Sequence, residues 1–314
     1  MLLSIVVLSY NRPEQVKRIL DNMGNVTSSD FNLIIKDDRS PRYSEILKVV
    51  QDKKQELGFE LILYQNVKNL GYDVNLLDSF NITDSKFIFL LSDDDFIDGA
   101  MTNKLLALLK KGEFDVYFTP YRDGDRTNRL IGHDYCFKGF AEVIYNSILF
   151  SGLIFNREKV LLLDKDEVFL SSCIYTQVYL ASVLIYKAEA YGVAPDNLLF
   201  VGGDGENYFG KNEAAENSDL LVDRGLVSSD LNYQSFLLGV IAKVSQKCNL
   251  QIQKIFMKEY GKRLIAYGLR ARRYGLDDYL YFLNHYRRSN LPKPIMVLFL
   301  LVVTIFIPQK LAKY

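Results

Sequence analysis

Three adjacent carboxylates, Asp93, Asp94 and Asp95, are the clearest candidates for chemistry in this chain of 314 residues. They directly follow the apolar run 87–91, a pattern typical of a buried strand that ends in a polar turn. Neighbouring carboxylates repel one another unless a cation offsets their charge, and their hard oxygen atoms favour Mg²⁺ or Mn²⁺. Such ions commonly bridge protein carboxylates to the oxygens of a diphosphate. For the triplet taken alone, a solvated acidic turn that caps the next helix is the alternative.

Two further polar clusters follow apolar runs in the same way. Residues 9–12 come after the run 4–8, and residues 37–38 come after the run 31–36. Apolar residues at helical spacing, such as Val16, Ile19 and Leu20, separate these runs. This alternation predicts an α/β fold with a mainly parallel sheet flanked by helices. Ligands of such sheets bind beyond the carboxyl ends of the strands, so we expect the three clusters to form one site.

Charge divides the chain into an α/β part over residues 1–225 and a basic, helical region over residues 226–314. From Asp230 to the end there are 14 Lys and Arg against 4 Asp and Glu, although the whole chain has no net charge. The three cysteines, Cys136, Cys173 and Cys248, are far apart and odd in number. They predict neither a disulfide framework nor a zinc site, and they fit a reducing compartment.

The C-terminal region contains an apolar run of 13 residues, 295–307, with Arg287, Arg288 and Lys293 before it. A bilayer crossing needs about 20 residues, so the run predicts a helix that lies in the membrane interface. Basic side chains beside it would attract anionic headgroups. A buried core helix or an oligomer contact is the alternative. Nucleic-acid binding is not expected, because the rest of the chain carries an acidic excess and no nucleic-acid motif.

Four motifs together resemble family 2 glycosyltransferases, which have the GT-A fold. They are Ser4–Arg12, Ile35–Ser40, Asn69–Gly71 with Asn75, and Leu91–Asp95, in the order and at the spacing usual for the family. The resemblance covers residues 1–120 well and continues weakly to about residue 210. It implies a GT-A domain with a nucleotide-sugar half, 1–120, and an acceptor half, 121–225. The nearest type is that of bacterial surface-polysaccharide assembly, such as O-antigen or capsule.

The resemblance also implies roles for individual residues. Asp38 would hydrogen-bond the base of the nucleotide, typically a pyrimidine, and Asp37 would support its loop. Asp94 matches the metal-binding acid, with Asp95 beside it, and the ion would be Mn²⁺ or Mg²⁺. The residues expected to bind the nucleotide-sugar donor are Ser9, Tyr10, Asn11, Arg12, Asp37, Asp38, Asn69, Gly71, Asn75 and Asp93.

One part of the chain departs from the family pattern. Family 2 enzymes usually carry an acidic catalytic base, often in a Glu-Asp pair, before a helix in the second half. The comparable stretch here, 166–177, has no such pair. Glu167 and Asp204 are the candidate bases. Inversion at the anomeric carbon is the family expectation, and the missing pair leaves the stereochemistry open.

The sequence thus predicts metal-dependent transfer of a sugar from a nucleoside diphosphate-sugar to a glycan acceptor. Membrane attachment suggests an acceptor linked to polyprenyl diphosphate, at the cytoplasmic face of the bacterial inner membrane, with the protein peripheral or monotopic. One alternative is a sugar nucleotidyltransferase, which typically has a glycine-rich, basic loop where Ser9–Pro13 stands. The other is an inactive, membrane-associated scaffold that kept the fold.

Overall fold

The computed structural model describes residues 1–24, 26–124, 126–128, 140–202, 225–248 and 252–308. The chain forms two compact units, Met1–Asn207 and Tyr208–Tyr314. Two residues named above, Asp204 and Cys136, lie outside the described residues. The domain boundary expected between residues 225 and 226 adjoins a stretch outside them and stays a prediction.

The first unit alternates strands and helices. Its strands are β1 (Leu3–Ser9), β2 (Thr27–Asp37), β3 (Gly58–Gln65), β4 (Phe87–Ser92), β5 (Phe96–Ile97), β6 (Val116–Phe118), β7 (Tyr121–Asp123), β8 (Arg126–Asn128), β9 (Leu153–Asn156), β10 (Gly192–Val193) and β11 (Leu199–Phe200). Its helices are α1 (Pro13–Asn22), α2 (Tyr43–Lys54), α3 (Tyr72–Asp78), α4 (Gly99–Lys111), α5 (Phe140–Asn146), α6 (Arg157–Leu161), α7 (Glu167–Leu170) and α8 (Thr176–Ala188).

Seven strands form the main sheet, in the order β10-β6-β9-β4-β1-β2-β3. The pairs β1–β2, β1–β4, β2–β3 and β6–β10 are parallel, whereas β9 runs antiparallel to both β4 and β6. The predicted α/β fold with a mainly parallel sheet is therefore confirmed. A second sheet of four short strands has the order β5-β11-β7-β8.

Strand register brings the polar clusters to one edge of the main sheet. Ser9 at the end of β1 is aligned with Asp37 at the end of β2, and Leu8 is aligned with Ser92 at the end of β4. All seven residues of β1 are buried, so this central strand has no solvated face. Its apolar composition follows from that burial, because a parallel strand covered on both faces has no position for a solvated side chain.

The helices follow from local sequence signals, with one correction. In α1, Pro13 stands in the first turn, where its missing N–H costs nothing, and Val16 lies among the residues that face the core. The sequence of residues 70–80 predicts a short helix, but the observed helix, α3, spans only Tyr72–Asp78. Gly71, just before it, has φ 72° and ψ 170°, which is not a helical conformation. The N–H groups of Leu70 and Gly71, just before the helix, donate to the side chain of Asp38.

The second unit is helical over the residues described. It contains α9 (Gly225–Cys248), α10 (Ile252–Tyr274), α11 (Leu276–Arg288) and α12 (Ile295–Thr304). The apolar run 295–307 is therefore helical as far as residue 304. Within the described part of the chain, none of the helices combines the length and apolar character that a bilayer crossing requires.

Helix α12 is fixed firmly against α10 and α11. A Cβ added to Gly268 of α10 would lie 2.6 Å from a methyl group of the Leu301 side chain, so the two helices approach each other closely at this glycine. The hydroxyls of Tyr260 and Tyr286 donate to the carbonyl of Pro292 at 2.9 and 2.7 Å. A third buried tyrosine, on α11, donates to the carbonyl of Leu301. Three hydroxyls thus hold the backbone at Pro292, just before α12, and at Leu301 within it.

Candidate functional site

The ends of β1 and β4 are joined through the first aspartate of the triplet. The backbone N–H of Tyr10 donates to Oδ2 of Asp93 at 3.0 Å, and Nη1 of Arg12 donates to its Oδ1 at 2.9 Å. The same Nη1 lies 3.2 Å from Oδ2 of Asp94. Two clusters that are more than 80 residues apart in sequence therefore form one electrostatic unit.

The three aspartates differ in exposure. Asp93 and Asp95 are buried, whereas 32% of the Asp94 side chain is exposed. Asp95 accepts the N–H of Gly202 at 3.3 Å. A Cβ added to Gly202 would lie 1.9 Å from the backbone oxygen of Asp94, so this close approach requires glycine. The structure thus leaves Asp94 as the carboxylate of the triplet most accessible to a ligand.

Burial and charge oppose each other in this cluster. Burial raises the pKa of Asp93 to about 7, although the neighbouring Arg12 acts to lower it. Burial acts to lower the pKa of Arg12, but Asp93 and Asp94 outweigh it and raise that pKa above its ordinary value. One guanidinium is shared between two carboxylates, so the cluster as a whole retains an attraction for a further cation.

The acidic residues fit one mode of metal binding. Among the residues that the structure describes, no group of three His, Cys, Asp or Glu side chains is arranged to hold an ion. Mg²⁺, however, is usually held by one or two carboxylates together with substrate phosphates and water. Asp94, with Asp95 next to it, can supply that smaller set of ligands.

At the end of β2, Asp37 holds the following loop. Its carboxylate accepts the N–H of Ser40 at 3.0 Å and also the hydroxyl of Ser40, and Nε2 of Gln65 lies at 3.3 Å. The hydroxyl oxygen of Ser40 in turn accepts the N–H of Asn11 at 2.8 Å. Asn11 has φ 61°, a left-handed conformation that this contact helps to hold. Asp37 thus positions the loops after both β1 and β2.

Asp38 is buried and accepts three N–H groups. Nδ2 of Asn66 and the backbone N–H of Leu70 donate to Oδ1, each at 2.7 Å, and the N–H of Gly71 donates to Oδ2 at 3.0 Å. Oδ1 of Asn69 accepts from the same N–H of Gly71 at 3.0 Å. The structure therefore brings together Asp38, Asn69 and Gly71, three residues that the sequence assigned to one ligand.

Asn75, the remaining donor candidate, lies in a buried network with a residue that sequence analysis missed. Lys36 has no exposed surface, and its Nζ donates to Oδ1 of Asn66 at 3.2 Å and to Oδ1 of Asn75. The ammonium also lies 3.1 Å from Oδ2 of Asp78. Burial lowers the pKa of Lys36, and Asp78 opposes that shift. A lysine directly after the apolar residues 33–35 was the signal for this network.

Residues on α3 and α8 form a second flank that sequence analysis also missed. The Asp73 carboxylate accepts the N–H of Ile174 at 2.8 Å and the hydroxyl of Thr176 at 2.9 Å. Ile174 has φ 65°, which is unfavourable for a β-branched residue, and Asp73 holds it there. The hydroxyl of Tyr72 donates to Gln177 at 3.1 Å. Contacts between residues about 100 positions apart leave no local trace in the sequence.

The candidate bases stay predictions. Glu167 is exposed and begins the short helix α7, whereas Asp204 lies outside the described residues. The carboxylate that reaches the segment before α8 is that of Asp73, from α3. The neighbouring end of β4 is tied to the second half of the unit as well, since the N–H of Ser92 donates to the hydroxyl of Ser151 at 2.9 Å.

Comparisons with known proteins give one family and several structures of similar fold. A family model described as glycosyl transferase family 2 matches residues 4–174, more than half of the chain. No curated protein matches the sequence.

Among solved structures, residues 1–349 of S. aureus TarS in complex with UDP-GlcNAc share 14% identity, with a TM-score of 0.53 and 93% of each chain covered. The mannosyltransferase PcManGT from Pyrobaculum calidifontis, in complex with GDP-Man and Mn²⁺, shares 13% identity, with a TM-score of 0.57. That match covers 99% of this chain and 80% of PcManGT. Against a longer TarS structure, with 15% identity and a TM-score of 0.51, 64% of this chain covers 36% of TarS. At these identities the likeness concerns the fold, which is that of GT-A enzymes.

Proposed function

The chain belongs to glycosyl transferase family 2, and from this premise we propose that it transfers a sugar from a nucleoside diphosphate-sugar to a glycan acceptor. It is accordingly a glycosyltransferase rather than a sugar nucleotidyltransferase. The observation that carries the donor assignment is the meeting of residues 9–12, Asp38 and the aspartate triplet at one strand edge.

The spacing of the strands suits a donor that lies across this edge. Strand β1 separates β2 from β4, so Asp38 and Asp94 follow strands two spacings apart, about 10 Å. An extended nucleoside diphosphate can bridge such a span, with its base at Asp38 and its diphosphate at Asp94. TarS with UDP-GlcNAc and PcManGT with GDP-Man are consistent with this class of donor.

The reaction we propose is metal-dependent, with Mn²⁺ or Mg²⁺ held by Asp94 and Asp95. When bound, the ion would offset the negative charge that develops on the departing nucleoside diphosphate. Arg12 and Asp93 keep the loop that carries Asp94 in place, and Gly202 permits the close packing behind it. PcManGT, which was crystallised with Mn²⁺, supports the choice of ion.

The chemical step joins the acceptor and the sugar directly. An acceptor hydroxyl attacks the anomeric carbon, the bond from that carbon to the diphosphate oxygen breaks, and a base takes the hydroxyl proton. Glu167 and Asp204 are the proposed bases. A base must reach the attacking hydroxyl, so each is to be tested by the pH dependence of turnover in its Gln or Asn variant.

For the acceptor we propose a polyprenyl-diphosphate-linked glycan of surface-polysaccharide biosynthesis, reached at the cytoplasmic face of the bacterial inner membrane. The support lies in the second unit. Helix α12 is pinned by buried tyrosines, yet large apolar side chains on it are exposed, including Ile295, Met296 and Phe299. The exposed basic residues Arg287 and Arg288 precede it. An apolar face with basic neighbours is typical of helices that lie on anionic membranes.

A ligand screen tests the donor assignment. We expect UDP- or GDP-sugars with Mn²⁺ to raise the melting temperature of the protein, since a ligand that binds only the folded state stabilises it. The same mixture should release free nucleoside diphosphate slowly, by transfer of the sugar to water. Stabilisation by nucleoside triphosphates alone, with no effect of any nucleotide-sugar, would contradict the proposal.

Vesicle binding tests the membrane assignment. We expect the protein to sediment with vesicles that contain phosphatidylglycerol, and the double variant Met296→Asp/Phe299→Asp to lose most of this binding. Val67→Asp is the matched control, because Val67 is 93% exposed but lies in the first unit. Equal binding of the double variant and the control would contradict a role for α12.

A further inference from the structure

Lys36 has no exposed surface and lies near the end of strand β2, within its buried part, 31–37. Removing an ammonium group from water is costly, by several kcal/mol, and well-packed apolar residues often replace buried ion pairs without loss of stability. The neighbouring strand residues Leu33 and Ile35 are apolar and buried, as packing alone would require. A lysine at this position therefore calls for a reason other than stability.

The chemistry of Lys36 dictates how its neighbours are oriented. An ammonium group only donates hydrogen bonds, so the amide atoms that face it must be oxygens. Oδ1 of Asn66 and Oδ1 of Asn75 both face Nζ of Lys36. The oxygen and nitrogen of an asparagine amide are similar in size, so packing alone does not decide which of them faces a neighbour. The contact with Lys36 fixes this orientation for both amides.

The orientation of the Asn66 amide determines which of its atoms faces Asp38. Because its Oδ1 faces Lys36, Asn66 turns its Nδ2 away and donates to Oδ1 of Asp38 at 2.7 Å and to Oδ1 of Asn75 at 2.8 Å. If the Asn66 amide were reversed, an oxygen would face the Asp38 carboxylate and repel it. Two donors, Asn66 and the N–H of Leu70, instead converge on the same carboxylate oxygen.

We propose that Lys36 is a positioning residue that sets the hydrogen-bond polarity of the base-binding end of the donor site, and thereby its choice of nucleobase. The inference rests on the proposed function, in which Asp38 contacts the base. Held by three N–H donors, Asp38 presents acceptors to a ligand. It therefore favours bases with a ring N–H, such as uracil or guanine, over cytosine and adenine, which have none.

The first test is Lys36→Met, with binding of UDP, GDP, CDP and ADP measured by calorimetry in the presence of Mn²⁺. We expect the variant to bind the preferred nucleotide about tenfold or more weakly, and to discriminate less between the four bases. A purely structural role would lower stability but leave the order of base preference unchanged. Lys53→Met is the matched control, since Lys53 forms ion pairs with Asp21 and Glu56 away from α3.

A second variant decides the matter if Lys36→Met does not fold. Asn66→Asp keeps the shape of the side chain and keeps an oxygen towards Lys36, and when it is ionised it replaces the donor that faces Asp38 with an acceptor. Binding is measured at neutral and at alkaline pH, because a protonated carboxyl at this position would still donate to Asp38. We expect Asn66→Asp to fold and to show the same loss of affinity and base preference.

The outcomes separate this inference from the proposed function. If the wild-type protein binds none of the four nucleotides, the donor site itself is wrong. If the wild-type protein binds one of them, and the folded Asn66→Asp or Lys36→Met variant binds it with unchanged affinity and preference, the donor site stands and the role of Lys36 is overturned.

Discussion

The two ends of the strand edge use carboxylates in opposite ways. Asp38 is 5% exposed and accepts three N–H groups of its own chain, whereas the Asp94 side chain is 32% exposed and shares one guanidinium with Asp93. The first arrangement fixes an acceptor before any ligand arrives. The second leaves negative charge that a cation can still neutralise. The Asp38 end is therefore suited to recognising a ligand by its shape and its hydrogen-bonding groups. The Asp94 end is suited to a ligand whose charge changes during the reaction.

The largest expected effect is at the exposed end. Asp94→Ala should lower turnover of the nucleotide-sugar about 100- to 1,000-fold, as loss of one group that stabilises developing charge typically does. The melting temperature should hardly change, because the side chain is partly solvated. Asp52→Ala, on the exposed face of α2, is the control. Near-normal turnover in Asp94→Ala would show that the Asp94 carboxylate is not needed to stabilise the developing charge.

At the buried end, a substitution should affect both binding and stability. Asp38→Ala removes the acceptor of the Leu70 N–H and one of the two acceptors of the Gly71 N–H, and we expect it to lower the free energy of unfolding by about 1–3 kcal/mol. Nucleotide affinity should fall at least about tenfold in whatever fraction folds. Urea titration and calorimetry measure the two effects. A variant as stable as wild type would show that Asp38 is not the structural anchor described above.

A smaller effect is expected behind the aspartate triplet. Gly202→Ala places a Cβ against the backbone oxygen of Asp94, so the segment must shift, and overpacking of this kind costs about 1–3 kcal/mol. Donor binding with Mn²⁺ should weaken accordingly. Gly239→Ala on α9 is the control, because a Cβ there meets open space among the described residues. If both variants bind the donor with Mn²⁺ equally well, the packing of Gly202 against Asp94 does not affect the metal-binding end of the site.

The last test compares the two ends of the site without mutation. Removing divalent ions with EDTA should weaken binding of the nucleoside diphosphate strongly but leave the binding of the free nucleoside nearly unchanged. The reason is that, in the proposed binding mode, the nucleoside contacts the Asp38 end alone. Calorimetry with both ligands, with and without EDTA, measures the difference, and an equal loss for both would argue that the two ends act as one.

Sequence reasoning located the strand edge because its signals are local. An apolar run followed by a polar cluster marks the end of a buried strand, and this pattern occurs at residues 9–12, 37–38 and 93–95. The positions of Lys36 and Asp73 could not be read in this way. Their meaning depends on partners up to about 100 residues away, which only strand pairing and helix packing bring near. The roles of the individual site residues await the experiments above.

The position of strand β9 in the sheet limits where the chain can be truncated. It returns antiparallel between β4 and β6, so Leu153–Phe155 supply hydrogen bonds to a strand that ends in the aspartate triplet. A fragment cut at residue 120 would expose the β4 backbone and the apolar side chains that β9 covers. Such an open, apolar edge promotes aggregation. We therefore expect that residues 1–120 do not fold on their own, and that fusions or truncations should keep the chain intact at least through β9.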